Sequence, residues 1–127
     1  MAIKEGTRGK QQLVVTHELT AARYGSGLIE VYATPAMIAL MEKTCQESVQ
    51  EQLEAGHLTV GTLVNVRHLK ATPVGMKVEC ESELLSQEGR KLTFKVLARD
   101  EKGVIGEGLH ERFIVNETDF MQKLASE

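Results

Sequence analysis

Three residues able to do acid–base or nucleophilic work stand at spacings that a fold can bring together. Glu42 lies four residues after Ile38 and three before Cys45, so on a helix it shares the face of an apolar stripe. Glutamate is seldom fully buried without a partner. A carboxylate pressed against a sheet in apolar surroundings has its pKa raised, the condition wanted in a general acid or base. The plainer alternative puts Glu42 at the stripe's edge, reaching solvent. His68 continues the face of Val64 and Val66 in a strand pattern. Where that face meets the helix, the imidazole is either a satisfied core residue or a proton carrier. Thr34 stands directly before Pro35 at the helix start, and a role as N-cap is sufficient to explain it. Its hydroxyl is also a nucleophile or a donor to substrate when a base lies near. Eight residues separate Thr34 from Glu42, about 12 Å along a helix axis, too far for one small substrate group unless the cap loop folds inward.

The other polar candidates are weaker. In His110-Glu111-Arg112 the arginine suits a carboxylate or a phosphate, but the triplet reads first as a solvated strand face. His17 and His57 carry no pattern. Cys45 and Cys80 fit apolar faces as small core residues, with no neighbour to activate a thiol and no secretory context to favour a disulfide. No Cys/His group has zinc spacing, so no metal is expected. Gly103, Gly106 and Gly108 sit in a strand pattern with no helix after it, which argues against a phosphate loop.

These residues need a scaffold, and the pattern supplies one. Residues 35 to 55 read as a single long helix of roughly 30 Å, with Met37, Ile38, Met41, Cys45, Val49 and Leu53 at helical spacing and Gly56 as a stop. Residues 1–10 read as a loose lead-in. Leu13 to Leu19 reads as a strand, 20–27 as a mobile loop, and a second short strand falls near Val31. After the helix come four strands. One carries Thr62, Val64, Val66 and His68 on one face. In the next, Val78, Cys80, Ser82 and Leu84 alternate with Lys77, Glu79, Glu81 and Glu83. Leu92, Phe94, Val96 and Ala98 mark the third, and 104–115 forms the last, followed by a short helix at 119–124. Tight turns at 87–90 and 100–103 imply antiparallel pairing. The expected class is α+β: one long central helix wrapped by an antiparallel sheet of five or six strands, the hot-dog arrangement.

Composition limits the possibilities further. The 127 residues, 42% hydrophobic and 26% charged, suit one folded domain spanning 1–127. A net charge of −3 with few aromatics argues against nucleic acid. No apolar stretch approaches a membrane span. Met1 to Lys10 is polar and shows no secretory signal, so a cytoplasmic location is expected.

The stretches ATPAMIALMEKTC, VGTLVNVRHLKATPVGMKV, EGRKLTFKVLARD and GVIGEGLHERFIV together resemble the fluoroacetyl-CoA thioesterase-like family of hot-dog acyl-CoA thioesterases, over about residues 30 to 116. The resemblance implies a catalytic trio at Thr34, Glu42 and His68, the same three residues reached above. It also implies substrate contacts at Gly61 and Arg112, and a homodimer, open to further association, with acyl-CoA at the subunit interface. Such an interface draws groups from both copies, which removes the distance problem between Thr34 and Glu42. Coenzyme A enters as part of the substrate, with no separate cofactor. Because the chain is acidic overall, CoA phosphates would be met by a local cluster drawn from Lys70, Arg67 or Arg112. The lid segment, Tyr24-Gly25-Ser26-Gly27-Leu28-Ile29, is glycine-rich and lacks Phe, so a short-acyl preference broader than or different from fluoroacetyl is expected. Two other readings compete: a hot-dog enoyl-CoA hydratase or dehydratase, and a non-catalytic acyl-CoA-binding dimer.

Overall fold

The computed structural model describes residues 1–127. Five strands form one antiparallel sheet around one long helix. In chain order they are β1 (Arg8–Val14), β2 (His57–His68), β3 (Lys77–Glu88), β4 (Lys91–Asp100) and β5 (Gly103–Asn116). The spatial order is β1-β3-β4-β5-β2. The helices are α1 (Ala21–Tyr24), α2 (Thr34–Gln50) and α3 (Glu117–Ala125), with a short 3-10 turn at His17–Leu19. This is the expected α+β layering with five strands.

The core lies between α2 and the concave sheet face. Met37, Met41, Cys45 and Val49 repeat every four residues, so one helix stripe is buried. Val78, Cys80 and Leu84 of β3, Leu92, Phe94, Val96 and Ala98 of β4, and Ile105 and Ile114 of β5 close over it. Phe94 is the largest sheet side chain in this layer, and truncating it to alanine would cost about 3–5 kcal/mol. The alternation read in β3 and β4 holds at every inward position named above. Gly106 lets α2 approach β5 closely, because a Cβ there would sit 2.5 Å from Met37 Sδ.

Several boundaries differ from expectation. Residues 1–10 are not a loose lead-in: Arg8–Lys10 belong to β1, Ile3 is buried, and its backbone N–H donates to Gln87 Oε1 at 2.8 Å. The first strand therefore lies earlier than Leu13–Leu19, because polar cross-strand partners such as Lys10 and Glu79 support it without an apolar run. Around Val31 there are only isolated bridges, Thr20 to Tyr32 and Val31 to Pro73. The central helix ends at Gln50 rather than 55, five residues short, and Leu53 packs against the core from beyond the helix end. The C-terminal helix is present and capped by Asn116, whose side chain accepts from the Asp119 N–H.

Candidate active site

The first turn of α2 holds Thr34. Ala33, in extended conformation, is the N-cap, and its carbonyl accepts from Met37 N–H at 3.0 Å. Thr34 is therefore the first helical residue and not the cap. Its hydroxyl is spent elsewhere: Oγ1 lies 2.8 Å from Nδ1 of His68, at the end of β2. The capping explanation of Thr34 thus fails: its hydroxyl pairs with an imidazole instead. His68 is half-buried, and burial lowers its pKa, with the Lys70 backbone acting in the opposite sense. His68 is accordingly neutral at pH 7, as a base requires. Its Nε2 is shut off from solvent with no hydrogen-bond partner in this chain.

Thr34 and His68 line an open cleft of about 310 Å³. Ser26 and Ile29 of the glycine-rich segment, Val31 and Lys70 contribute to its walls. The tip of that segment is apolar and solvated, with Leu28 97% accessible.

Glu42 stands two turns along α2 in a different cluster. Its side chain is 42% accessible, and Oε2 lies 3.9 Å from Arg112 Nη1. The apolar setting expected for Glu42 is not found: a guanidinium is its neighbour, and much of the carboxylate meets solvent. Gly61 faces this carboxylate from β2, where a Cβ would lie 2.8 Å from Oε2 and 3.3 Å from both Arg112 Nη1 and His110 Cε1. The β2–β5 register shifts between Gly61 and Leu63. That bulge breaks the alternation at Leu63, and over 61–65 both faces of this edge strand are exposed, so Thr62 and Val64 do not lie on the covered face where the sequence pattern put them.

The reading of His110-Glu111-Arg112 as a solvated face needs correction. His110 is 1% and Arg112 7% accessible, while Glu111 points the other way and is half-buried. Arg112 donates from Nε to Thr59 Oγ1 at 2.7 Å and from Nη2 to the Thr59 carbonyl at 2.9 Å. Committed in this way, Arg112 cannot serve in a surface phosphate cluster, which leaves Lys70 and Arg67. Sequence reasoning missed Thr59 and the burial of His110. Two polar residues spaced i, i+2 on β5 were the available signal, because they had to share a face.

The structure thus joins Thr34 to His68, and Glu42 to Gly61 and Arg112, as two groups within one copy. Cys45 and Cys80 are buried and unpaired, and burial pushes their thiols up to about 12 and about 11, as expected of core cysteines. No helix is long and apolar enough to cross a membrane.

Comparison with known proteins agrees with this architecture. The profile of the fluoroacetyl-CoA-specific thioesterase family matches residues 15–118, so it takes in the 20–29 segment that the sequence resemblance left out. The fluoroacetyl-CoA thioesterase of Streptantibioticus cattleyicolor is 41% identical over 95 residues, 75% of this chain and 68% of that protein. A solved structure of a fluoroacetyl-CoA thioesterase superposes with a TM-score of 0.93 at 34% identity, covering 100% of this chain and 98% of that one. A thioesterase superfamily member from Thermus thermophilus superposes with a TM-score of 0.90 at 30% identity, over 98% and 93% of the two chains. The chain belongs to the fluoroacetyl-CoA-specific thioesterase family.

Proposed function

We propose that this protein is an acyl-CoA thioesterase, hydrolysing R–CO–S–CoA with water to a carboxylic acid and free CoA. Family membership supports the reaction class. The single observation that carries the site is the 2.8 Å contact between Thr34 Oγ1 and His68 Nδ1 beside an open cleft. A neutral imidazole there accepts the proton of the hydroxyl, or of a water held beside it, as the thioester carbonyl is attacked. It then returns that proton to the departing thiolate; where the hydroxyl is the nucleophile, a water deprotonated by the same imidazole hydrolyses the acyl-Thr34 ester, releasing the acid and restoring the hydroxyl. The N-terminus of α2, with Thr34 at its first position, favours the negative charge that builds on the carbonyl oxygen. Lys70, on the cleft wall, and Arg67 are the cations for the CoA phosphates.

Glu42 completes the site across a homodimer. β2 is an edge strand whose middle, Gly61–Asn65, is exposed, with Leu63 and Val64 42% and 43% accessible. Unpaired edges of this length seek a partner, and a second β2 is the self-complementary one. Pairing there brings the Glu42–Gly61–Arg112 group of one copy towards the Thr34–His68 pair of the other. Analytical ultracentrifugation tests this: a monomer at micromolar concentration would refute it. The protein is expected to work in the cytoplasm, and the glycine-rich 20–29 segment to admit short acyl groups other than fluoroacetyl.

One observation favours a second covalent route. The Glu42 carboxylate has one oxygen turned to Arg112 and is otherwise open, which suits direct attack on the thioester. Quenching a turnover within its first cycle and mapping the labelled peptide by mass spectrometry separates the routes. Acyl label on Thr34 supports the Thr34–His68 nucleophile, label on Glu42 the direct attack, and no label in either peptide a water attack assisted by His68.

A further inference from the structure

Arg112 is a cation 7% accessible beneath an apolar sheet face. Such a group is costly unless its donors are met. Thr59 meets Nε and Nη2. The remaining nitrogen, Nη1, lies 3.1 Å from His110 Nε2 and 3.9 Å from Glu42 Oε2. A guanidinium only donates, so His110 Nε2 carries a lone pair. A carbonyl only accepts, so Nδ1, 2.8 Å from the Leu63 carbonyl, carries the proton. His110 is therefore fixed as one neutral tautomer. Its ring is held in place by stacking on Phe94, with centroids 6.4 Å apart and planes 29° apart. Leu63 is where regular β2–β5 pairing resumes after the bulge that begins at Gly61. A continuous line of contacts thus runs from the bulge through His110 and Arg112 to Glu42.

Resting on the reading of Glu42 as a catalytic carboxylate, we propose that His110 is a positioning residue that aims Arg112 Nη1 at Glu42 and ties that carboxylate to the β2 bulge. His110 meets neither substrate nor reacting atoms; it acts through Arg112. Losing the Nε2 acceptor leaves a buried Nη1 proton unmet, so the planar guanidinium, hinged on Thr59, tilts as a whole to recover a partner and Glu42 loses its anchor. Protonation of His110 does the same, because Nε2 then becomes a donor facing a donor. The charged groups around the ring are Arg112, which opposes protonation, and Glu42 on α2 and Glu111 on β5, which favour it. β2 and β4 present the Leu63 carbonyl and Phe94, neither of which titrates. Burial is the largest influence and keeps the ring neutral at pH 7.

Two near-isosteric variants divide the contacts. His110→Asn retains a donor near the place of Nδ1 and has no acceptor for Arg112. His110→Gln places an amide oxygen near the place of Nε2 and gives up the Leu63 contact. kcat, KM and their pH profiles would be measured by CoA release, thermal midpoints would be recorded alongside, and histidine nitrogen NMR would be run on the substrate-free wild type. The expected results are a fall in kcat of about tenfold or more for His110→Asn with KM little changed, and kcat within about threefold of wild type for His110→Gln. The acid limb of the Gln profile should also be shallower by one proton, and NMR should show His110 neutral with the proton on Nδ1. Equal kcat in the two variants, an acid limb unchanged in His110→Gln, or a proton on Nε2 would overturn the proposal. If the wild type releases CoA from no substrate, the thioesterase reading fails separately. The NMR result, obtained without substrate, still decides whether His110 holds Arg112 as described.

Discussion

Substituting Gly61 by alanine probes the one place where β2 backbone, Glu42 and Arg112 meet. The added Cβ would sit 2.8 Å from Glu42 Oε2, whereas an ordinary contact needs 3.4 Å or more, so the carboxylate must retreat by about 0.6 Å. Gly61 has no positive φ, so alanine brings no backbone strain. The severe clash is with the end of a flexible, partly exposed side chain, which yields cheaply, while the 3.3 Å approaches to the buried Arg112 Nη1 and His110 Cε1 ask for a shift of only about 0.1 Å. Lower unfolded-state entropy contributes about 0.5–1 kcal/mol in favour of the variant, offsetting some of the lost Glu42–Arg112 attraction. The net stability change should stay within about 1 kcal/mol. Activity is another matter: a 1 Å misplacement of a reacting group can lower rates by about a hundredfold, so a shift of this size should lower kcat by about ten- to a hundredfold. The assay is CoA release with a thermal melt on the same sample. Unchanged kcat with an unchanged melt would refute the idea that Gly61 exists to seat the carboxylate. A collapsed melt would show that the backbone gives way instead.

Three further outcomes follow from the same geometry. Thr34→Ala removes no cap bond, so its thermal midpoint should stay close to wild type while kcat falls, and a large loss of stability would restore the capping role. Burial lowers the pKa of both His68 and His110 below the ordinary 6.5, so between the ordinary and folded values the unfolded chain holds more protons than the folded one. Stability is then fully present above about pH 6.5 and falls as pH drops through that window; urea midpoints at successive pH values check this, and a midpoint flat or rising on acidification contradicts it. Cys45 and Cys80, buried with raised thiol pKa values, should not react with an aromatic disulfide reagent until denaturant is added, when two thiols should appear.

Much of this arrangement was legible in the residues, and the gaps have physical causes. β3 and β4 alternate cleanly because one face packs on the helix and the other meets water. β1 begins earlier than its apolar residues suggest, because its sequence, RGKQQLV, has little apolar signal and is held by charged cross-strand partners. Glu42 stands at the edge of the helix stripe and reaches solvent, as the plainer alternative has it, and the stripe could not show a cation from β5 reaching it. From the sequence Arg112 and His110 read as solvated because a charged side chain on a strand usually is. Only the sheet order, which sets β2 beside β5, reveals that Thr59 and Leu63 satisfy them. Thr34 illustrates the opposite case: a residue with a sufficient local explanation that the fold uses for something else.

The central claim is tested most directly by free-thiol release from a panel of acyl-CoAs, from acetyl to long-chain and aromatic, with His68→Ala as control. The account predicts CoA release by the wild type, strongest among short acyl groups, and its loss in the variant while the fold persists. Release from no substrate, or release undiminished in His68→Ala, would contradict it.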